Sequence, residues 1–197
     1  MKTNILDENI FYYTEIIDNP YAFIDLIESN DIKIKNTNAP LSPWNVWTAS
    51  NDDYIFGYQK RFLENIKDPS SDYYEECLLI HDTIKNSIEK CSYDYANQKS
   101  ISIGNLTPLS ISKYSAGAQM GPHVDSYGDD RSPTISVVLY LNDDYEGGEI
   151  YFKEQDIKVK PSAGSLVIFP STEPYYHQSL PVVSGSKYMT PGFWYKN

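Results

Sequence analysis

Hydrophobic and polar positions alternate in different ways along the chain. Residues 9–17 are rich in Ile, Phe and Tyr and predict an early strand. A short helix follows, capped by Asp18 or Asn19, with Pro20 in its first turn and an apolar stripe of Phe23, Ile24 and Ile27, ending near Asn30. Periodicity then fails from residue 31 to 70, while Trp44, Trp47, Tyr54, Phe56 and Tyr58 accumulate. Such an aromatic-rich segment is either a binding loop or lid, or a satellite core packed beneath a loop. Helical spacing returns at 72–95, where Tyr74, Cys77, Leu78, His81, Ile84, Ile88 and Cys91 recur and Asp72 with Glu75 forms a capping pair. On that stripe His81 reads as a packed core residue rather than a ligand.

After Ser100 the pattern shortens to strands separated by turn residues. The expected strands cover 110–115, 122–126, 134–142, 148–153, 157–160, 165–169, 176–180 and 186–195. Eight is the number of a jelly roll. The predicted fold is mainly β with flanking helices (α+β): a double-stranded β-helix, cupin-like, with the N-terminal helices packed on one of its sheets. A single domain is expected over 1–197, with 1–100 as a helical and loop support region and 101–197 as the jelly-roll core. In the 134–142 strand, Ile135, Val137, Leu139 and Leu141 make an apolar face suited to lie under helices. Thr134, Ser136, Val138 and Tyr140 face into the barrel.

Charge narrows the choice of partners. A formal net charge of -11 lacks the basic footprint of a protein that tracks phosphate backbones, so nucleic acid is not the expected partner. Cys77 and Cys91 fall on one helix roughly 20 Å apart, beyond disulfide reach, and read as free thiols of a reducing compartment. With neither a signal-peptide pattern nor a membrane span, the expected location is cytoplasmic. Oligomeric state is open.

The chemistry-bearing stretch is Gly121-Pro122-His123-Val124-Asp125. In an extended segment His123 and Asp125 share one face while Val124 turns away, and with His177 they make the two-His, one-carboxylate set that suits non-haem Fe(II) with open positions. The later pattern Gly164-Ser165-Leu166-Val167-Ile168-Phe169-Pro170, then His177, then Pro181-Val182-Val183-Ser184-Gly185-Ser186-Lys187, adds order and spacing. From about Ile111 to Tyr195 the chain resembles the Fe(II)/2-oxoglutarate-dependent dioxygenases, and among them the prolyl 4-hydroxylase-like branch.

That resemblance implies His123, Asp125 and His177 as iron ligands and Lys187 as the cation for the distal carboxylate of 2-oxoglutarate. Many relatives place Arg there; a Lys looks more like the collagen-type prolyl hydroxylases. It also implies Tyr140 on the same carboxylate, Tyr114 near the cosubstrate, and Trp194 lining the pocket. Trp194 is seven residues from Lys187, so only a bulge at Pro191-Gly192 would turn both to one face. Implied cofactors are Fe(II), 2-oxoglutarate and O2, with ascorbate as a reductant. The implied reaction is hydroxylation of an unactivated C–H bond with release of succinate and CO2. A prolyl residue in a peptide or protein is the leading substrate, and a free amino acid or other small molecule the alternative. Tyr127, Arg131, Trp44, Trp47 and Tyr58 are the residues expected to touch it, and the acidic surface favours a basic or neutral peptide. A non-catalytic metal-binding cupin-like module is the second function class; it has no need of Lys187 or Tyr140. A hydrolytic zinc enzyme lacks a candidate base, and Asp125 fills the position a halogenase leaves vacant.

Overall fold

The computed structural model describes residues 1–28, 44–51, 54–62, 73–126 and 132–196. Strands dominate. Eight of them form one antiparallel sheet in the order β1 (Lys2–Asp7), β2 (Ile10–Thr14), β11 (Ser165–Pro170), β7 (Ile135–Tyr140), β14 (Ser186–Trp194), β5 (Ser110–Ser115), β4 (Tyr54–Phe62), β3 (Asn45–Asn51). A second sheet runs β10 (Ile157–Val159), β9 (Ile150–Phe152), β12 (His177–Ser179), β6 (Met120–His123), and β13 (Val182–Ser184) pairs with β8 (Glu146–Gly147). This is the expected jelly roll with its helices to one side.

The two faces of the large sheet have separate cores, as the alternation in β7 requires. Ile135, Val137, Leu139 and Leu141 pack with Cys77, Ile80, Ile84, Ile88 and Cys91 of the long helix α2 (Tyr74–Lys99) and with Ile27 of α1 (Tyr21–Glu28). Val138 and Tyr140 turn the other way, into a core shared with Ile150 and Phe152 of the small sheet and with Val167, Phe169 and Met189. His81 is buried on α2 and its Nδ1 lies 2.8 Å from Asp82, away from the other histidines. Both cysteines are buried free thiols, and burial pushes Cys91 up to about 12. No helix among the described residues is long and apolar enough to cross a membrane.

Several expectations need correction. The long helix starts at Tyr74 with Tyr73 as its cap residue and no side-chain cap; Asp72 lies outside the described residues. It runs on to Lys99, where Ser100 in the left-handed conformation ends it. Part of the 31–70 segment is not irregular: β3 and β4 form a hairpin, with Trp47 opposite Tyr58, that adds to β5. In β4 the aromatic residues Tyr54, Phe56, Tyr58 and Phe62 share one parity, interrupted by Lys60, while Ile55, Gly57, Gln59 and Arg61 make a mixed opposite face that blurs the strand signal. The pairs β1 and the two-residue β8 are likewise too polar or too short to stand out. A turn requires Gly147: its φ is +70°, and a Cβ there would sit 2.3 Å from the Pro181 carbonyl oxygen.

A candidate metal and cosubstrate cavity

β6 and β12 are neighbours in the small sheet, and His123 and His177 are directly opposite one another. The chain leaves β6 after His123, and the N–H groups of Asp125 and Ser126 both donate to the Ser171 carbonyl at 3.0 Å. That anchor turns the Asp125 carboxylate toward the histidines while Val124 is buried. His123 Nε2 lies 3.5 Å from Asp125 Oδ1, and His177 Nε2 lies 3.5 Å from Asp125 Oδ2. One ligand atom from each of the three residues falls within 4.8 Å of the others.

Their outer partners settle which atoms point inward. His123 Nδ1 is 2.8 Å from the Gly121 carbonyl oxygen and His177 Nδ1 is 3.2 Å from that of Tyr175. A carbonyl only accepts, so each Nδ1 carries the proton and, in the neutral ring, each Nε2 presents a lone pair to the centre. Ser136 Oγ donates to Asp125 Oδ2 at 2.6 Å and is itself 2.8 Å from Ser171 Oγ. Two nitrogen lone pairs and a carboxylate thus face one point, an arrangement a divalent cation satisfies.

Electrostatics follow from position. Burial against Phe152 and Phe169 pulls His177 down to about 4, Asp125 opposing the shift. For His123 burial also acts downward, but the hydrogen bond and charge of Asp125 outweigh it and the net direction is up. Asp125 is held below the usual carboxylate range: burial acts upward, and the contacts with His123, His177 and Ser136 prevail.

The triad closes one end of a cavity of about 180 Å³ between the sheets. β14 runs along its wall, presenting Lys187, Met189, Pro191 and Phe193 on one face. Lys187 is 1% exposed. Its ammonium donates to the Gly148 carbonyl at 3.0 Å and to Ser179 Oγ, and stands 4.7 Å over the Tyr114 ring. No carboxylate among the described residues pairs with it, and burial, reinforced by Lys160, pulls it down to about 7. Three N–H groups minus two protein acceptors leave one donor and the charge for a ligand.

Tyr140 lines the same cavity, fully enclosed, and its hydroxyl makes no hydrogen bond to a described residue. Tyr114, opposite Lys187 across β5 and β14, stacks on Tyr58 at 4.8 Å with the rings parallel. The structure therefore brings His123, Asp125, His177, Lys187, Tyr140, Tyr114 and Tyr58 to one cavity.

Trp194 is not among them. β14 pairs with β7 in unbroken register from Met189 to Trp194, so no bulge exists. Trp194 turns to the helix side, buried, with its Nε1 donating to Ser92 Oγ at 2.9 Å; Phe193 takes the cavity position instead. Trp44 packs against the helix-side core, with Lys113 5.8 Å from its ring, so it does not touch the cavity. Tyr127 and Arg131 lie outside the described residues, as does the side chain of Trp47. Sequence reasoning missed Lys60, Ser112, Ser136 and Ser179. Strand parity would have found Ser136 as a partner for Asp125, since it was already placed facing the barrel.

Comparison with known proteins finds similarity over part of the chain. Residues 109–196 match the 2OG-Fe(II) oxygenase superfamily. The match takes in somewhat under half of the chain and is a similarity to that superfamily. Members use Fe(II), 2-oxoglutarate and O2, and a His-Asp-His triad is in place here. A PKHD-type hydroxylase of Hyphomonas neptunium is 37% identical over 99 residues, 45% of this chain and 42% of that protein. One from Shewanella sp. (strain MR-7) is 36% identical over 89 residues, 41% of this chain and 39% of the other. The chain thus spans less than half the length of these curated relatives.

Similarity of fold reaches further than similarity of sequence. The viral collagen prolyl hydroxylase of Paramecium bursaria Chlorella virus-1, solved with 2OG, superposes with a TM-score of 0.62 at 16% identity, covering 98% of this chain and 99% of that one. A Trichoplax adhaerens prolyl hydroxylase, in complex with a hypoxia inducible factor peptide fragment, gives 0.65 at 14% identity, covering 95% and 84%. A Pseudomonas putida prolyl-4-hydroxylase gives 0.61 at 20% identity, covering 96% and 93%.

Proposed function

We propose that the protein is an Fe(II)- and 2-oxoglutarate-dependent hydroxylase of unactivated C–H bonds, acting on a prolyl residue in a peptide or protein. The observation that carries this reading is a single cavity with a two-His, one-carboxylate centre at one end and, at the other, the buried cation Lys187, with which no carboxylate among the described residues pairs. His123, Asp125 and His177 would hold the iron; Lys187 would hold the distal carboxylate of 2-oxoglutarate, with Tyr140 beside it. Bound there, the iron and cosubstrate supply the oxidising power, with O2 consumed in converting 2-oxoglutarate to succinate and CO2 and hydroxylating the substrate.

The chain's own part is positional. Gly121 and Tyr175 carbonyls aim the two imidazoles, Ser136 and Ser171 aim the carboxylate, and Gly148, Ser179 and Tyr114 hold the ammonium in place. Val138, Ile150, Met189 and Phe193 make a dry wall between the two ends, which excludes water from the reacting centre. The prolyl assignment draws on the fold neighbours, three of which are prolyl hydroxylases, and the peptide on the complex among them. A free amino acid or other small molecule is the second reading, favoured by the modest size of the cavity. Succinate formation by protein loaded with Fe(II) under anaerobic conditions, then given O2 with and without a pool of proline peptides, tests it. Turnover stimulated by the pool supports the prolyl reading; turnover unmoved by it transfers the assignment to small molecules. No turnover with iron bound points to the metal-binding module.

A further inference from the structure

The turn that holds the Lys187 ammonium is itself gripped by a second lysine. β8 leads from Gly147 into Gly148, whose φ is +66°, and the Gly148 carbonyl accepts from Lys187 at 3.0 Å. The preceding carbonyl, that of Gly147, accepts from Lys160 at 3.1 Å, and Lys160 donates as well to the Tyr145 carbonyl. Consecutive carbonyls of one turn therefore carry one lysine each: Lys187 is buried against the cavity, and Lys160 is exposed. The turn is tied in turn to the chain leading to Lys187, because the Gly148 N–H donates to the Pro181 carbonyl at 2.9 Å.

Lys160 follows β10 and could leave its charge in solvent. Instead its Nζ stands 3.3 Å over the centre of the Tyr145 ring, in addition to its two carbonyl partners. Fixing an exposed lysine costs side-chain freedom, and every one of these contacts bears on the turn. The Tyr145 ring is buried and lies 3.0 Å from the point that a Cβ on Gly148 would occupy. Charge couples the two lysines as well. Burial first, and then Lys160, pull Lys187 down, while Glu149 acts upward. Tyr114 on β5 and Tyr140 on β7 line the same end of the cavity, and burial raises both far enough to keep them neutral. From β12 the contact is the uncharged Ser179. Burial draws Lys160 itself down, opposed by Glu149, Asp143, Glu146 and Asp144.

Resting on the proposed hydroxylase reading, in which Lys187 takes the distal carboxylate of 2-oxoglutarate, we propose that Lys160 is a positioning residue for that cation. It fixes the Gly147–Gly148 turn so that the Gly148 carbonyl stays aimed at the Lys187 ammonium, and its own charge adds to the attraction for a dianion at that end of the cavity. Lys160 touches neither metal nor cosubstrate. A like charge nearby also disfavours the ammonium form of Lys187, so the two lysines jointly set the pH at which 2-oxoglutarate affinity begins to fall.

Calorimetric titration of 2-oxoglutarate into anaerobic, Fe(II)-loaded protein between pH 6 and 9 tests both effects. At pH 6, where the Lys187 ammonium is largely charged with or without its neighbour, Lys160→Met should bind about fivefold more weakly than native protein. The pH at which affinity begins to fall should move up by about half a pH unit, because the like charge is gone. Lys160→Arg, which keeps charge and donors, should restore both, with Fe(II) affinity native throughout. Lys160→Gln, made in parallel in case Lys160→Met does not fold, should show the same displacement of the pH profile. Lys158→Met, which removes the neighbouring lysine of β10, should change neither. Weaker binding with an unmoved pH profile would reduce Lys160 to general support of the fold and overturn the inference, as would native affinity at pH 6. Failure of the underlying reading looks different: 2-oxoglutarate then fails to bind native protein, or binds Lys187→Met as tightly, and the inference falls with it.

Discussion

The inner wall of the cavity and its β4 side are built on different terms. On the inner wall each functional atom is held by a partner with one purpose: carbonyls on both Nδ1 atoms, Ser136 on Asp125, Gly148 and Ser179 on Lys187. On the β4 side Tyr58 and Lys60 are half-buried on a strand near the sheet edge, with Ser112 beside them lacking a hydrogen-bond partner among the described residues. The first arrangement suits a fixed pair of ligands, metal and cosubstrate. The second is less enclosed and holds its side chains less tightly.

Substitutions on the inner wall should therefore abolish function, and those elsewhere should redirect or merely weaken it. The largest effect is expected from His177→Ala, which removes a ligand rather than its support and should lower Fe(II) affinity by more than the roughly hundredfold that outer partners command, read by metal titration. Lys187→Met should weaken 2-oxoglutarate by about a hundredfold or more, since truncating one member of a buried charge pair costs about 2–5 kcal/mol. Metal binding should survive that change; its loss would mean that the two ends of the cavity are not separate sites. Ser136→Ala should reduce metal affinity by roughly 10–100-fold without unfolding the protein.

A smaller effect is a pH slope. With Lys187 near 7 in the ligand-free cavity, the ammonium is already charged below pH 7 and binding takes up no proton. Above 7 the charged fraction falls, so 2-oxoglutarate affinity should drop about tenfold per pH unit until the pKa of the bound state is reached. A flat profile between pH 7 and 9 would contradict the assignment of the cation. Smallest is Trp194→Phe, which loses the bond to Ser92 and about 1 kcal/mol of stability in denaturant titration, with cosubstrate affinity unchanged. A change in affinity there would place Trp194 on the cavity face after all.

Much of the inner wall was legible from residue order because its geometry is local. His123 and Asp125 are two apart, and the parity of β7 separated Val137 and Leu139 from Val138 and Tyr140 correctly. The Trp194 expectation went wrong where it assumed a bulge: seven residues of regular strand put Trp194 opposite in face to Lys187, and the helix-side core claimed the ring. The β4 side was illegible for a different reason. Lys60 and Ser112 are 52 positions apart in the numbering of the chain, and only the pairing of β4 with β5 brings them together. Tyr54, Phe56, Tyr58 and Phe62 share one parity, but that alternation, interrupted by Lys60, marks a strand without naming β5 as its partner. Trp44 illustrates the converse: an aromatic near the cavity in sequence that packs on the far face of the sheet.

Calorimetric titration of 2-oxoglutarate into anaerobic, Fe(II)-loaded protein, run in parallel on Lys187→Met and His177→Ala, addresses the central claim most directly. Binding to native protein that requires the metal and is lost by about a hundredfold or more in Lys187→Met is the result expected of one ligand spanning triad and lysine. Equal affinity in native protein and Lys187→Met, or native binding indifferent to iron, would contradict it.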